Sequence, residues 1–127
     1  MQPLIHEELS KSIIGAAIEV LNRLRPGLDE KIYEKALVIE LTRRGHRLEP
    51  QKRFPITYAG QMIGLLQPDL IIDEKVIADP KVVSDFNDNH VAQMSGYLAI
   101  TGLQLALLLN FKFARLGWKR VAHSYPR

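Results

Sequence analysis

The sequence predicts a single α/β domain, and three features of its hydrophobic pattern predict it. Apolar residues recur at helical spacing over residues 7–24, and from residue 49 onward they alternate as in β-strands. Near the carboxyl end, the run "LQLALLLNF" is almost continuously apolar, which is typical of a strand that is covered on both faces and paired parallel to a neighbour. Because 127 residues suit one domain with one core, we assign residues 1–127 to a single domain.

Two helices are predicted first along the chain. The helical spacing of residues 7–24 stops at Pro26-Gly27, which is a strong helix-ending pair. A second helix is predicted to begin near Leu28, with acidic residues in its first turn where the helix dipole favours them. Its pattern ends at Gly45, directly after two arginines, and this is the usual composition of a last helical turn and its cap.

Three strand-like runs follow, with short polar connections between them. They are "RFPITYAG", "QMIGLLQPDLII" and "KVIADPKVV", and turn signals lie at Ala59-Gly60 and Asp73-Glu74. Short connections between consecutive strands predict an antiparallel meander. A third helix, "HVAQMSGYLAIT", is predicted to end at Gly102, and the apolar run after it forms a parallel strand. A short final strand is predicted around "WKRVAHS".

Composition indicates an ordinary globular protein. The hydrophobic share is 46% and the charged share is 24%. No apolar run approaches the ~20 residues that a membrane span needs, and the first residues do not form a signal segment. The sequence contains no cysteine, which excludes disulfides and thiolate metal sites. We therefore expect a soluble cytoplasmic protein without a membrane partner.

Charge is distributed unevenly along the chain. Residues 41–60 contain five Lys/Arg and one Glu (+4), and residues 61–90 contain two Lys and six acidic residues (−4). Residues 110–127 contain five Lys/Arg and no acidic residue (+5). The basic side chains are candidates for contacts with nucleic-acid phosphates. They are Arg43, Arg44, Arg47, Lys52 and Arg53 in the first group, and Lys112, Arg115, Lys119 and Arg120 in the second. A solubilising surface explains the same pattern equally well.

Two acids and a lysine interrupt the apolar strand runs. Asp69 lies in the second run and Asp79 in the third, and the turn at residues 73–74 folds these runs back on each other. Their carboxylates can meet if both point to the same face. Lys81 is two residues from Asp79 and therefore shares its face. The ordinary structural alternative is an Asp–Lys cross-strand pair at a sheet edge, with Pro80 marking that edge.

A divalent cation is the natural partner of two such carboxylates. Buried carboxylates repel each other and are costly to desolvate, so a positive group is needed to neutralise them. Mg²⁺, or Mn²⁺, typically takes one or two protein carboxylates and completes its shell with water and phosphate oxygens. Lys81 could orient or help deprotonate an attacking water. Pro80 lacks an N–H but keeps its carbonyl, which is also a hard oxygen ligand.

The chain resembles the GxxExxY protein family, a set of small bacterial proteins in the PD-(D/E)XK nuclease superfamily. The residues that carry the resemblance are "PD" followed by "DPK", Gly27, Glu30 and Tyr33 in "PGLDEKIYEKAL", and the downstream "Q…YL…TGL" and "LLLNF". The resemblance covers residues 9 to 122. It implies a three-layer α/β/α restriction-endonuclease-like core of helix, three-strand meander, helix and parallel strand, here with an extra N-terminal helix.

The resemblance also implies a role for particular residues. Asp69 and Asp79 would be metal ligands, with the Pro80 carbonyl as a third, and Lys81 would be the catalytic lysine. The family usually has Glu-Leu-Lys where this chain has Asp79-Pro80-Lys81, and the shorter aspartate puts a ligand about 1 Å further away.

Three more side chains are implied by the same resemblance. Gln93 and Tyr97 match the QxxxY element of the exonuclease-like branch and share a helical face. Glu30 matches an acid that many superfamily members supply from the helix before the meander.

The leading interpretation is a metal-dependent nuclease, with DNA preferred over RNA as the expected substrate. A catalytically inactive nucleic-acid-binding or accessory module on the same fold is the main alternative. A purely structural interaction subunit is the third interpretation. We also consider a homodimer, since many small nucleases cut both strands of a duplex as dimers.

Overall fold

A four-stranded mixed sheet forms the centre of the protein, for which a computed structural model describes residues 4–49 and 51–123. The helices within these residues are α1 (Glu7–Leu24), α2 (Glu30–Arg43) and α3 (Asp88–Thr101). The strands are β1 (Phe54–Tyr58), β2 (Gln61–Leu66), β3 (Leu70–Ile72), β4 (Val76–Lys81), β5 (Leu105–Asn110) and β6 (Gly117–Ala122). The predicted N-terminal helix, the parallel strand and the final strand are all present.

The central sheet has the strand order β3-β4-β5-β6. β3 and β6 are antiparallel to their neighbours, whereas β4 and β5 are parallel. A parallel pair requires a crossover connection, and α3 supplies it. This pairing explains why β5 is apolar along its whole length, since both of its faces are covered.

Helices cover the sheet on both faces and give three layers. On one face α1 and α2 pack against alternate residues of the strands, such as Ile72 and Leu107. On the other face α3 packs Met94 and Leu98 against the intervening residues, such as Ile77. The predicted α/β/α class with an extra N-terminal helix is therefore confirmed. None of the helices in the described part of the chain is both long and apolar enough to cross a bilayer.

The predicted meander differs from the structure in one respect, because its middle run is two strands. The break falls at Gln67, Pro68 and Asp69, between β2 and β3. Pro68 has no N–H for a strand ladder, so pairing stops there. As a result, β1 and β2 form a separate two-stranded hairpin, and only β3 and β4 enter the central sheet. Both predicted turns are present, and residues 73 and 74 have the positive φ angles of a type I′ turn.

The third helix begins two residues earlier than the pattern predicts, because of its cap. Asn87 Oδ1 accepts a hydrogen bond from the His90 amide at 2.9 Å, and His90 Nδ1 accepts one from the Asn87 amide at 3.1 Å. This reciprocal capping satisfies two amides that would otherwise be free at the helix start. His90 therefore has a structural role as a capping residue.

A chain of hydrogen bonds ties the β3–β4 turn to the first helix. His46 Nε2 lies 2.7 Å from Ser12 Oγ on α1, and His46 Nδ1 lies 2.8 Å from Asp73 Oδ2 in the turn. The other oxygen of Asp73 accepts from the Arg47 amide at 2.8 Å. Ser–His–Asp chains also occur in hydrolases, but Ser12 lies beyond the first free amides of α1, so its own amide cannot serve as an oxyanion donor. We interpret the chain as a structural strap.

Replacing His46 with alanine should lower the free energy of unfolding by about 1 to 2 kcal/mol, because two partly buried hydrogen bonds are lost. Urea denaturation measures this change. Ser12→Ala combined with His46→Ala should cost less than the sum of the two single changes, since both remove the same contact. Additive effects would show that Ser12 and His46 are not coupled.

Candidate active site

Asp69 and Asp79 both adjoin the last pair of the β3–β4 hairpin. That pair joins Leu70 to Ala78; Asp69 comes directly before Leu70 and Asp79 directly after Ala78. Asp69 itself lies in the break before β3, not within the second strand as the sequence suggests, because Pro68 interrupts the pairing. The two carboxylates still interact, since the negative charge of Asp69 contributes to a raised pKa of Asp79.

The position of Pro80 follows from the short length of β3. Pairing between β3 and β4 ends at the Leu70–Ala78 pair, whereas β5 continues to pair with β4 through Lys81. From Asp79 onward, β4 therefore has a neighbour on one side only within the central sheet. A proline is tolerated at such a local edge, where no partner strand needs its missing N–H. Pro80 is nevertheless buried.

Asp79 is a buried carboxylate with one oxygen that lacks a hydrogen-bond donor. Its relative exposure is 3%, and within the described residues its Oδ1 atom has no hydrogen-bond partner. Lys81 Nζ lies 3.4 Å from this oxygen, which is an ion-pair distance but a poor hydrogen bond. Burial raises the pKa of the Asp79 carboxyl from 3.8 to about 7, Asp69 adds to this rise, and Lys81 opposes it.

Glu30 brings a third acid to the carboxylate pair from α2. Burial raises the pKa of the Glu30 carboxyl; the positive charge of Lys81 opposes this rise, and the negative charge of Asp69 adds to it. These effects place Glu30 within electrostatic range of both groups. The start of α2 therefore lies near the open end of the β3–β4 hairpin, which Asp69 and Asp79 adjoin.

Gln93 and Tyr97 approach the same acids from α3. Gln93 Nε2 donates a hydrogen bond to Tyr97 Oη at 3.0 Å. Burial raises the pKa of the Tyr97 phenol, and the negative charges of Asp79 and Asp69 raise it further. Tyr97, like Glu30, therefore lies within electrostatic range of Asp69, and Gln93 joins this group through its hydrogen bond to Tyr97.

The donor set suits a divalent cation. Asp79 Oδ1 is buried without a hydrogen-bond donor among the described residues, and the pKa of the carboxyl stays raised although Lys81 Nζ lies 3.4 Å away, so the lysine offsets the cost of burial only in part. In the described part of the chain, no three Asp, Glu, His or Cys side chains are close enough to form a metal site by themselves. A cation would therefore depend on Asp69, Asp79, a backbone carbonyl such as that of Pro80, and water, as Mg²⁺ often does.

The three residues of the GxxExxY spacing have different local roles. Gly27 has φ of 112°, a conformation that other residues rarely adopt, and it lies in the loop between α1 and α2. Tyr33 is fully buried, and its hydroxyl donates to the Arg25 carbonyl at 2.7 Å and accepts from the Leu28 amide at 3.0 Å. Both contacts hold the loop that precedes Glu30.

Asn110 is a residue of this region that sequence reasoning missed. It pairs with Lys81 in the parallel register and is buried at the end of β5. Its side chain accepts from the Val83 amide at 3.2 Å and donates to the Val83 carbonyl at 2.8 Å. The next residue, Phe111, donates its amide to the Lys81 carbonyl at 2.9 Å and stacks on Tyr33 with ring centroids 4.9 Å apart. A polar residue that ends the run "LALLLN" was the available signal.

The basic residues predicted to contact nucleic acid lie at different ends of the sheet. Arg43, Arg44 and Arg47 belong to the segment that the strap joins to the β3–β4 turn, and two of them pair with Glu40. Lys81 lies at the other end of β4. The strand from Val76 to Lys81 is about 16 Å long at the usual rise per residue. Lys112 and Arg115 follow β5 on the Lys81 side, because Asn110 pairs with Lys81.

The remaining basic candidates have individual surroundings. Arg53 Nε donates to Gln67 Oε1 at 3.3 Å, close to Asp69 in sequence, and Lys52 pairs with Glu49 at 3.5 Å. Lys119 is exposed on β6. Arg120 donates to Ser10 Oγ at 2.8 Å and to the Ile5 carbonyl at 2.6 Å, so its guanidinium anchors the start of α1.

Comparison with known proteins agrees with this fold. A family model described as the PD-(D/E)XK nuclease superfamily matches residues 7–121, and the chain therefore belongs to that superfamily. Two crystal structures of LHK-Exo, an alkaline exonuclease from Laribacter hongkongensis, share the fold at 11% identity. The complex with dAMP has a TM-score of 0.51 over 91% of this chain and 83% of that one; the other structure has 0.50 over 91% and 82%. Among curated proteins, none matches the chain significantly.

In metal-free protein, the raised pKa of Asp79 should make stability depend on pH. Because the folded pKa of about 7 exceeds the unfolded value of 3.8, this group contributes stability that is complete below pH ~4 and is lost as the pH rises through about 7. Asp79→Asn should remove this dependence and stabilise the protein at pH 8 by no more than about 4 kcal/mol. Thermal unfolding in EDTA at pH 5 and pH 8 measures the effect.

The matched control for that experiment is Asp29→Asn, which changes an exposed aspartate just before α2. This variant should keep the pH dependence of the wild type. If Asp79→Asn destabilised the protein equally at both pH values, the carboxylate would not be the costly group inferred here.

Proposed function

We propose that the protein is a metal-dependent nuclease that hydrolyses phosphodiester bonds, with DNA as its preferred substrate. The observation that carries the proposal is the convergence of Asp69, Asp79 and Lys81 around a buried carboxylate oxygen without a hydrogen-bond donor. Two carboxylates with an adjacent ammonium suit metal-assisted attack of water on a phosphate. The preference for DNA is supported by LHK-Exo, which has the same fold and was crystallised with dAMP, a deoxynucleotide.

Asp69, Asp79 and the Pro80 carbonyl would hold the cation. When bound, Mg²⁺ or Mn²⁺ supplies Lewis acidity toward a phosphate oxygen and lowers the pKa of water. Lys81 is half-buried beside the acids, so its positive charge acts in a region of reduced screening. There it offsets the negative charge that develops on the phosphate and orients the attacking water.

The side chains from the two helical layers would position the substrate. Tyr97 Oη accepts a hydrogen bond from Gln93, so its own proton remains available for donation to a phosphate oxygen. The raised pKa of Tyr97 keeps this proton on the phenol at neutral pH. Glu30 has an acceptor oxygen on the opposite side of the hairpin end and could accept a hydrogen bond from water.

The finer family assignment is part of the proposal. We place the chain in the GxxExxY family because each motif residue has a separate task in this fold. Gly27 permits the loop conformation, Glu30 joins the acidic group, and Tyr33 fixes the loop between them. Cleavage of both strands of a duplex would call for two sites, as in a homodimer, so the oligomeric state should be measured together with activity.

Cleavage assays test the proposal directly. Labelled single-stranded and duplex DNA and RNA are incubated with the protein in Mg²⁺, Mn²⁺ or EDTA. Wild-type protein should cleave DNA only with metal, and Lys81→Ala and Asp69→Ala should each reduce the rate at least about a hundredfold, because each removes charge at the reacting phosphate.

Lys75→Ala is the control for the lysine variant, because Lys75 is an exposed lysine at the other end of β4. It should cleave at the wild-type rate. Cleavage that survives Lys81→Ala or Asp69→Ala would remove these residues from the catalytic set. Cleavage of RNA without cleavage of DNA would show that the substrate is RNA and not DNA.

An inactive nucleic-acid-binding module is the second candidate, and the segment Asp79-Pro80-Lys81 favours it. The GxxExxY family usually has Glu-Leu-Lys at this place, and the aspartate side chain is one methylene shorter, so its carboxylate has a shorter reach toward a cation.

Isothermal titration with Mn²⁺ separates the two candidates. A nuclease should give a binding heat that disappears in Asp79→Ala, whereas Asp29→Ala should keep it. Nucleic-acid binding without any Mn²⁺ heat in the wild type would favour the inactive module.

A further inference from the structure

The β1–β2 hairpin exposes large apolar side chains on a part of the molecule that the proposed chemistry does not use. Tyr58 is 75% exposed and Ile63 is 68% exposed, and Met62 and Leu65 are exposed beside them. Ile63 is the extra residue of a β-bulge, because Ile56 pairs with Gly64 and Thr57 pairs with Met62. Exposed apolar groups clustered in this way usually mark a binding surface.

The hairpin contacts the body of the protein near its base. Phe54, the first residue of β1, packs into the core beneath α3, and β1 contacts that helix. The tip at Ala59-Gly60 is a tight turn in which both residues have positive φ. A two-stranded hairpin has little stability in isolation. The large apolar side chains near its tip are exposed, so packing within the described residues does not explain them.

Charge and position favour nucleic acid as the occupant of this surface. Residues 51–66 contain Lys52 and Arg53 but no Asp or Glu, so the segment itself is positively charged, and Lys52 pairs with Glu49 just before it. The hairpin also leads directly into the active site, because buried Pro68 alone separates Gln67 from Asp69. Arg53 donates to Gln67 Oε1, which places a guanidinium at this junction.

The geometry points to an arm that binds unpaired bases of the strand being cleaved. We propose that Tyr58 and Ile63 at the tip stack on nucleobases, while Lys52 and Arg53 at the base contact phosphates. Flat apolar base faces are accessible in a single strand and are hidden inside a duplex, so these side chains match a single-stranded region. This inference rests on the proposed nuclease function for the location of the scissile phosphate, but the binding itself requires no catalysis.

The length of the arm predicts how much substrate is needed. Six residues of β2 span about 20 Å at the rise of a strand, and nucleotides in one strand follow at ~3.4 Å intervals when stacked. The tip therefore reaches a base about six nucleotides from the phosphate at Asp69. A tetranucleotide held at the active site cannot reach the tip, whereas a dodecanucleotide can.

Fluorescence anisotropy in EDTA tests the arm independently of cleavage. The probes are labelled single-stranded dodecamer and tetramer DNA, and the proteins are wild type, Tyr58→Ser, Ile63→Ser and the matched control Ile39→Ser. Ile39 is an equally exposed isoleucine on α2, outside the hairpin. Tyr58→Ser should weaken binding of the dodecamer at least about tenfold and Ile63→Ser several-fold, since each removes a stacking surface. Binding of the tetramer, and all binding by Ile39→Ser, should stay within about twofold.

The outcomes separate the competing occupants of the surface. Unchanged dodecamer affinity in both hairpin variants, with thermal unfolding confirming that they are folded, would overturn the proposal. If the same variants turned a dimer into a monomer in analytical ultracentrifugation and kept wild-type affinity, the surface would belong to a second copy, which also overturns it. Wild-type protein that binds the dodecamer through Tyr58 but never cleaves it with metal would refute the nuclease function and leave the arm intact.

Discussion

Burial of the Asp79 carboxylate beside Asp69 is the electrostatic constraint on which the rest of this site depends. A carboxylate in an apolar layer loses its hydration, and a second negative charge nearby makes the ionised form more costly still. The raised pKa of about 7 is the direct expression of that cost. A protein keeps such a group only where positive charge, from a lysine or a cation, offsets it.

The surrounding structure is arranged to supply that charge and to hold it in place. Lys81 shares the face of Asp79 because the two are separated by one residue of a strand. Pro80 lies between them at little cost, since β3 has already ended and no strand requires its amide on that side. Behind Lys81, the Phe111 amide and the Asn110 side chain secure the end of β4, and Phe111 connects this end to α2 by stacking on Tyr33.

The two ends of the central sheet have different tasks. At the β3–β4 turn, the strap through His46 joins α1, the loop after α2 and the turn by hydrogen bonds. At the opposite end, polar groups from three layers face one another without full hydrogen bonding. The hydrogen-bonded strap therefore lies at one end of β4, and the proposed catalytic residues lie at the other.

Most of the fold follows from the sequence, because helical and strand periodicities are local properties. The helices, both hairpin turns and the parallel strand β5 lie where the patterns predict them. The approach of Asp69 to Asp79 was also accessible, since only nine residues and one tight turn separate them. The break of the middle run at Pro68 was not predicted, because its consequence, two separate sheets, depends on which strands find partners.

Tertiary structure decided the features that depend on contacts between distant segments. The sequence by itself determined the elements, the paired acids and the adjacent lysine. Only the packing of α2 and α3 onto opposite faces brought Glu30 and Tyr97 to those acids, and only the parallel pairing of β4 with β5 placed Asn110 beside Lys81. The physical reason is that burial, and with it the pKa of a carboxyl, arises from neighbours that are remote along the chain.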